Sequence, residues 1–123
     1  MTFNSVQQGR YGEDMAVLFL KDRGYQILDR NVRMLRCEMD VVAQLDSVII
    51  FVEVKARSNE RYGKGFEQVT LQKQKRLIRF AQLYLTRNKL EDRLMRFDVI
   101  SITLDPASGK ANKLEHYTNA FGL

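Results

Sequence analysis

Between Glu38 and Lys55 the chain reads E-M-D-V-V-A-Q-L-D-S-V-I-I-F-V-E-V-K. Asp40 and Glu53 with Lys55 are the residue types that hold a hard cation and steady an anion beside it. Carboxylates without His or Cys suit Mg²⁺ or Mn²⁺, which keep several waters and accept phosphate oxygens. Such a site polarises a phosphodiester, lowers the pKa of an attacking water and stabilises the leaving oxygen. Lys55 would add positive charge near the scissile phosphate and orient the water. The chain has no Gly-rich phosphate loop, no Ser-His-Asp set and no Cys-His pair, so other hydrolytic schemes lack parts.

Two strands must position these residues. Met39 to Leu45 and Val48 to Val54 fold about the turn-forming pair Asp46-Ser47. With a two-residue loop Leu45 faces Val48, Asp40 faces Glu53 and Glu38 faces Lys55. Opposed residues share a face of the sheet, so Glu38, Asp40, Glu53 and Lys55 are expected on one side. The pairs Met39/Val54, Val41/Val52, Ala43/Ile50 and Leu45/Val48 make the other side wholly apolar. A slip of one residue would destroy this segregation. Opposed carboxylates repel, and a divalent cation between them would remove the cost.

The flanking segments supply the rest of the scaffold. Ser5-Val6-Gln7-Gln8 fits a capping box for a helix running to about Arg23, with Gly24 as its stop. Gly9 and Gly12 each weaken that helix by up to about 1 kcal/mol, which a close approach by another backbone or a ligand would explain. Met15, Ala16, Phe19 and Leu20 form its inward stripe. Glu13 lies over the stripe's edge and, on spacing alone, reads as a first-turn residue favouring the helix dipole. Tyr25 to Met34 reads as a first strand with an irregular middle. Ala56 to Phe66 reads as a mobile basic loop, whose Arg57, Arg61 and Lys64 either close over a bound anion or simply face solvent.

Thr70 can cap a second helix to about Asn88, with Leu77, Phe80, Ala81, Tyr84 and Leu85 inward. Lys73 continues that stripe and either snorkels to the rim or reaches an anion. Lys75, Arg76, Arg79, Arg87 and Lys89 add basic surface that ordinarily is a solvated face. Arg96 to Leu104 is a largely buried strand, expected parallel to the third through a right-handed crossover. Asp98 inside it requires a partner, an Arg or a backbone group. Asp105 to Gly109 is a turn and Leu114 to Tyr117 a short final strand. His116, the sole histidine, reads as structural.

With 123 residues the chain is expected to form one domain over 1–123. Hydrophobic residues at 45% and charged ones at 28% exclude extensive disorder, and a net charge of +5 favours an anionic partner. Cys37 is alone, so no internal disulfide can form and a reducing cytoplasm is the expected home. The apolar runs fall far short of the roughly 20 residues needed to span a bilayer, so no membrane association is expected.

Asp40, twelve residues, then Glu53-Val54-Lys55 resembles the PD-(D/E)xK nuclease motif. Gly9-x-x-Gly12-Glu13-x-x-Ala16, Glu38-Met39-Asp40, Phe51-Val52-Glu53-Val54-Lys55, Arg96-Phe97-Asp98-Val99 and Ala120-Phe121 resemble the bacterial YraN family over nearly the whole chain. The resemblance implies a restriction-endonuclease-like α/β fold: helix, three-stranded antiparallel meander, helix, parallel crossover strand, short final strand. That family is similar to archaeal Holliday-junction resolvases, in which a helix-one glutamate joins the Asp and Glu-x-Lys residues at the metal. By that likeness Glu13, Asp40 and Glu53 are metal ligands for Mg²⁺ or Mn²⁺, and Asp40, Glu53 and Lys55 are catalytic.

The implied substrate is nucleic acid, DNA rather than RNA, as branched or recombination intermediates. Arg57, Lys64, Lys73, Arg76 and Arg79 are expected at its backbone, and symmetric cutting of two strands implies a homodimer. A non-catalytic nucleic-acid-binding or recombination-accessory module of the same fold is the alternative. Two departures from the family pattern stand out. Cys37 replaces a Gly before Glu-x-Asp, and Gly65-Phe66 replaces a small or Pro-containing turn.

Overall fold

A computed structural model describes residues 4–58 and 70–121. Arg61, Lys64 and Gly65-Phe66 lie outside the described residues. Helix α1 (Ser5–Asp22) is followed by strands β1 (Gln26–Met34), β2 (Cys37–Leu45) and β3 (Val48–Arg57). Helix α2 (Leu71–Arg87), β4 (Met95–Leu104) and β5 (Ala111–Phe121) complete the order. The strands form one five-stranded sheet in sequence order, antiparallel except for the parallel pair β3 and β4. This is the expected α/β arrangement, and no helix among the described residues is long and apolar enough to cross a membrane.

The capping box of α1 lies one residue earlier than expected. The Asn4 side chain accepts from Gln7 N at 2.8 Å, and the Gln7 side chain accepts from Asn4 N at 3.0 Å. Asn caps as well as Ser, and Asn4 has Gln at the third helical position to close the reciprocal bond. At the other end Gly24 N donates to Lys21 O and Tyr25 N to Leu20 O, each at 3.0 Å, with Gly24 at φ 88. That double closure requires a left-handed residue, which is why the helix stops at glycine.

Alternation along β3 sends Ile49 and Phe51 to one face and Ile50 and Val52 to the other. The first face packs on Leu77, Phe80, Ala81, Tyr84 and Leu85 of α2, the second on Ala16, Val17 and Leu20 of α1. The sheet is therefore covered on both sides. Gly12 is what brings α1 down onto β3, because a Cβ there would lie 2.6 Å from the Ala56 Cβ. The cost of glycine in a helix thus purchases close approach, as the sequence implied for this position; at Gly9 a Cβ would meet nothing within 4 Å.

Three expectations are corrected. β3 continues through Arg57, so Ala56 and Arg57 are strand rather than the start of a loop, each paired to β4. β5 spans Ala111–Phe121, well beyond Leu114 to Tyr117, because an edge strand can stay paired while its polar residues face water. The third correction concerns side-chain direction in β2. Its pairing with β3 has the expected register from Leu45↔Val48 to Val41↔Val52. Met39, however, packs with Val42 and Phe51 in the α2 cluster instead of with Val41 and Val52.

The alternation of β2 therefore inverts at Asp40. Across from it, between the pairs Arg30↔Val41 and Val32↔Met39, Asn31 adopts φ 53, so the hairpin bends at this point. Beyond the bend Val32, Met34, Cys37 and Met39 lean on the α2 cluster, and Glu38 no longer shares one side with Glu53 and Lys55 as expected. The β1–β2 turn consists of Leu35 and Arg36, both left-handed at φ 53 and φ 57. Hairpin turns of this kind prefer Asn-Gly, and a left-handed Leu or Arg costs roughly 1 kcal/mol.

Asp98 finds more partners than one arginine. Its carboxylate accepts Arg96 Nε at 2.9 Å and Nη2 at 3.1 Å, the Asn119 N–H at 2.9 Å, and pairs with His116 Nε2 at 2.8 Å. Arg96 also donates to the Tyr25 hydroxyl at 2.8 Å, tying β4 and β5 to the end of α1. His116 is thus structural, as its isolation in the sequence implied. Burial opposes ionisation of Asp98, but the bonds from His116, Arg96 and Asn119 outweigh it and hold its pKa below the usual value.

Gly12→Ala is expected to cost about 1–3 kcal/mol by overpacking, and Ala56→Gly in the same chain to recover much of it, as read by thermal melts. Because the folded pKa of Asp98 is depressed, its stabilisation is present above the unfolded value of about 3.9 and is lost as pH falls through the folded one. Asp98→Asn should therefore cost about 3 kcal/mol at pH 7 and flatten the acid side of the stability curve measured by urea unfolding.

Candidate active site

The cleft begins where the β2–β3 ladder ends. Past Val41↔Val52 the strands part, and Val54 N donates to Asp40 Oδ2 at 2.8 Å instead of to a backbone carbonyl. Glu53, on the α2 face of β3, is only 5% exposed. Lys73 Nζ lies 2.9 Å from its Oε2 and Lys55 Nζ 3.5 Å from the same atom. Thr70 fixes the approach of Lys73, its hydroxyl accepting from Lys73 N at 3.1 Å as the N-cap of α2. A cleft of about 570 Å³ gathers Asp40, Glu53, Lys55 and Lys73, with Arg36 and Arg76 also in its lining.

Charge is finely opposed here. Burial, then the charge of Glu53, pushes the Asp40 carboxyl up to about 7, with Glu13 adding, against the Val54 N–H and Lys55. Burial lowers the pKa of Lys55, opposed by Glu53 and assisted by Lys73. Burial also works against the charge of Lys73, yet its bond to Glu53 holds its pKa above the usual lysine value. Cys37 lines the same cleft, and burial with the nearby Glu53 raises its pKa, which keeps it a thiol at neutral pH.

Glu13 lies in an adjoining cleft of about 670 Å³ with Asp14, Arg30, Asn31 and Glu38. Burial raises its pKa, Asn31 and Arg30 lower it, and Glu38 and Asp14 raise it further. Glu38 lines both clefts, so they adjoin at its side chain. Among the described residues, no three of His, Cys, Asp and Glu are gathered closely enough to hold one metal ion. Asp40 and Glu53 nevertheless fit a hard divalent cation: both are oxygen donors, and their mutual repulsion is what such a cation relieves. Glu13 acts on Asp40 through its charge from the neighbouring cleft.

Of the expected backbone-contacting residues, Lys73 and Arg76 line the Glu53 cleft, and Arg76 and Arg79 line a smaller one of about 380 Å³ with Leu35 and Arg36. Arg57 ends β3 and lines neither, and Lys64 lies outside the described residues. Sequence reasoning missed Arg36 and Asn31. Arg36 was detectable as half of a two-residue loop before Cys37; the left-handed Asn31 carries no comparable signal beyond the general tolerance of Asn for that conformation.

The raised pKa of Asp40 has a definite sign for stability. Its ionisation costs the fold nothing below the unfolded value near 3.9, and an increasing amount as pH rises toward about 7. Asn keeps an acceptor for Val54 N and removes the charge. Asp40→Asn should therefore melt higher at pH 8 in chelator-treated buffer, by roughly 1–3 kcal/mol, and lose this advantage below about pH 4.

The sequence profile of "Uncharacterised protein family UPF0102" matches residues 12–102, which contain Glu13, Asp40, Glu53, Lys55 and Lys73. The UPF0102 protein of Sulfurihydrogenibium sp. is 37% identical over 120 residues, 98% of each chain. That of Chlorobium phaeobacteroides is 44% identical over 124 residues, again 98% of each. The UPF0102 protein of Chloroherpeton thalassium is 47% identical over 107 residues, 87% of this chain and 83% of that protein. Both the profile and the full-length relatives agree with the ordered motifs: the chain belongs to the UPF0102 family, the YraN family of its motif resemblance.

Proposed function

We propose that the protein is a metal-dependent endonuclease that hydrolyses DNA phosphodiesters, with branched or recombination intermediates as its substrates. The observation that carries this reading is the meeting of Asp40, Glu53, Lys55 and Lys73 in one cleft rimmed by Arg36 and Arg76. Asp40 and Glu53 would hold Mg²⁺ or Mn²⁺, with Glu13 their third carboxylate by family likeness. When bound, the cation supplies Lewis-acid polarisation of the phosphodiester and acidifies a water. Lys55 holds positive charge beside Glu53, and its lowered pKa eases the movement of a proton at Nζ. Lys73, Arg76 and Arg79 hold backbone phosphates. Symmetric cleavage of two strands would call for a homodimer, and the lone thiol suits a reducing cytoplasm.

One observation favours a second reading. Glu53 already has lysine partners, and no group of three metal-binding side chains occurs among the described residues. A non-catalytic nucleic-acid-binding or recombination-accessory module would have the same basic cleft without turnover. The two readings part in a cleavage assay on linear duplex, single-stranded and four-way-junction DNA with Mg²⁺ or Mn²⁺. A nuclease is expected to cut at least one substrate, to stop in chelator, and to lose about 100-fold or more of its rate in Asp40→Asn. Salt-sensitive binding that survives Asp40→Asn, with no cleavage of any substrate by the wild type, would sink the nuclease in favour of the binding module.

A further inference from the structure

The β1–β2 turn has a shape that the site above does not require. Leu35 and Arg36 are both held at positive φ, and Leu35 is 59% exposed at the tip, so burial does not offset its strain. Leu35 and Arg36 face Arg76 and Arg79 across the cleft of about 380 Å³. Among the described residues none of Arg36, Arg76 and Arg79 has an ion-pair partner. Arg36 and Arg76 also line the cleft of Glu53 and Lys55, so the two clefts are continuous along these side chains. An exposed apolar side chain among unpaired guanidinium groups complements a polymer that alternates anionic links with flat apolar surfaces.

We propose that the β1–β2 turn is a wedge, Leu35 entering an opened base step of DNA while Arg36, Arg76 and Arg79 hold the phosphates that lead into the Asp40 and Glu53 cleft. Resting on the nucleic-acid reading, this names the substrate class as duplex DNA interrupted by unpaired or unstacked bases. Apolar side chains such as Leu are used to hold unstacked steps open. A fork offers such a step already opened, whereas a continuous duplex must first be unstacked, so the wedge discriminates between them.

The test compares a forked DNA carrying 2-aminopurine at the branch with an uninterrupted duplex of equal length, in chelator so that cleavage plays no part. Wild-type protein is expected to bind the fork about tenfold more tightly and to raise the 2-aminopurine emission. Leu35→Asn accommodates the left-handed backbone and removes the apolar contact. It should melt no lower than wild type, lose the fork preference and leave the emission flat, while Leu35→Phe retains both signals. Equal binding of fork and duplex by the wild type, or wild-type behaviour of Leu35→Asn, overturns the wedge. Protein that binds neither DNA at low salt overturns the wedge together with the nucleic-acid reading. Fork binding with the emission rise but no cleavage in Mg²⁺ supports the wedge and removes only catalysis.

Discussion

The hydrogen bond from Val54 N to Asp40 Oδ2 is what allows two central strands to separate. A backbone amide cannot be left unpaired in a buried sheet without a cost of about 1–3 kcal/mol. By standing in for the missing carbonyl, Asp40 ends the β2–β3 ladder at Val41↔Val52 and opens a cleft inside a sheet that is otherwise covered on both faces. The same carboxylate is then fixed in direction, one oxygen engaged by the backbone. β3 is held on its far side by nine parallel pairings with β4, from Ile49↔Met95 to Arg57↔Thr103, so the parting of β2 does not loosen Glu53 or Lys55.

The cleft so formed is a place of balanced charge rather than of accumulated charge. Glu53 is almost wholly buried and tolerable there because Lys73 and Lys55 lie against it. Asp40 has no comparable cation and carries the imbalance, with a pKa near neutrality. Asp98 is the contrasting case within the same sheet. It is wholly shut off from water, where Asp40 is only partly so, and its two oxygens are taken up by Arg96, His116 and Asn119, so its pKa is lowered. One carboxylate is finished as structure, and the other is left with an unmet electrostatic demand.

Much of this was legible in the residues. Period-two patterning and a two-residue loop were enough to set the β2–β3 register, since any slip exposes apolar side chains. The helical stripe of α2 and the need of Asp98 for a partner, an arginine or a backbone group, could also be read in the residues. What could not be read was the bend at Asn31 and Asp40. It reverses which face Met39 and Glu38 occupy, and it arises from pairing across strands, which no local pattern records. For that reason Glu38 was expected on the same face as Glu53 and Lys55, whereas in the structure it lines both their cleft and the cleft of Glu13. The assignment of Glu13 to the metal came from family likeness alone, and the first-turn helix-dipole role that its spacing favoured fails because Glu13 stands midway along α1, whose first turn holds no acidic residue. The extent of β5 was hidden because an edge strand tolerates polar residues that elsewhere mark loops.

Gly12 and Ala56 are the immediate chain neighbours of Glu13 and Lys55. Their close contact, with no room for a Cβ between α1 and β3, therefore sets the spacing of two site residues that come from distant parts of the chain. Steric contact of this kind does not screen with salt or titrate with pH. The electrostatics of the clefts can shift with ligand and solution while the frame beneath them keeps its dimensions. Mechanical tolerance at the site is thus governed by the absence of one methyl group.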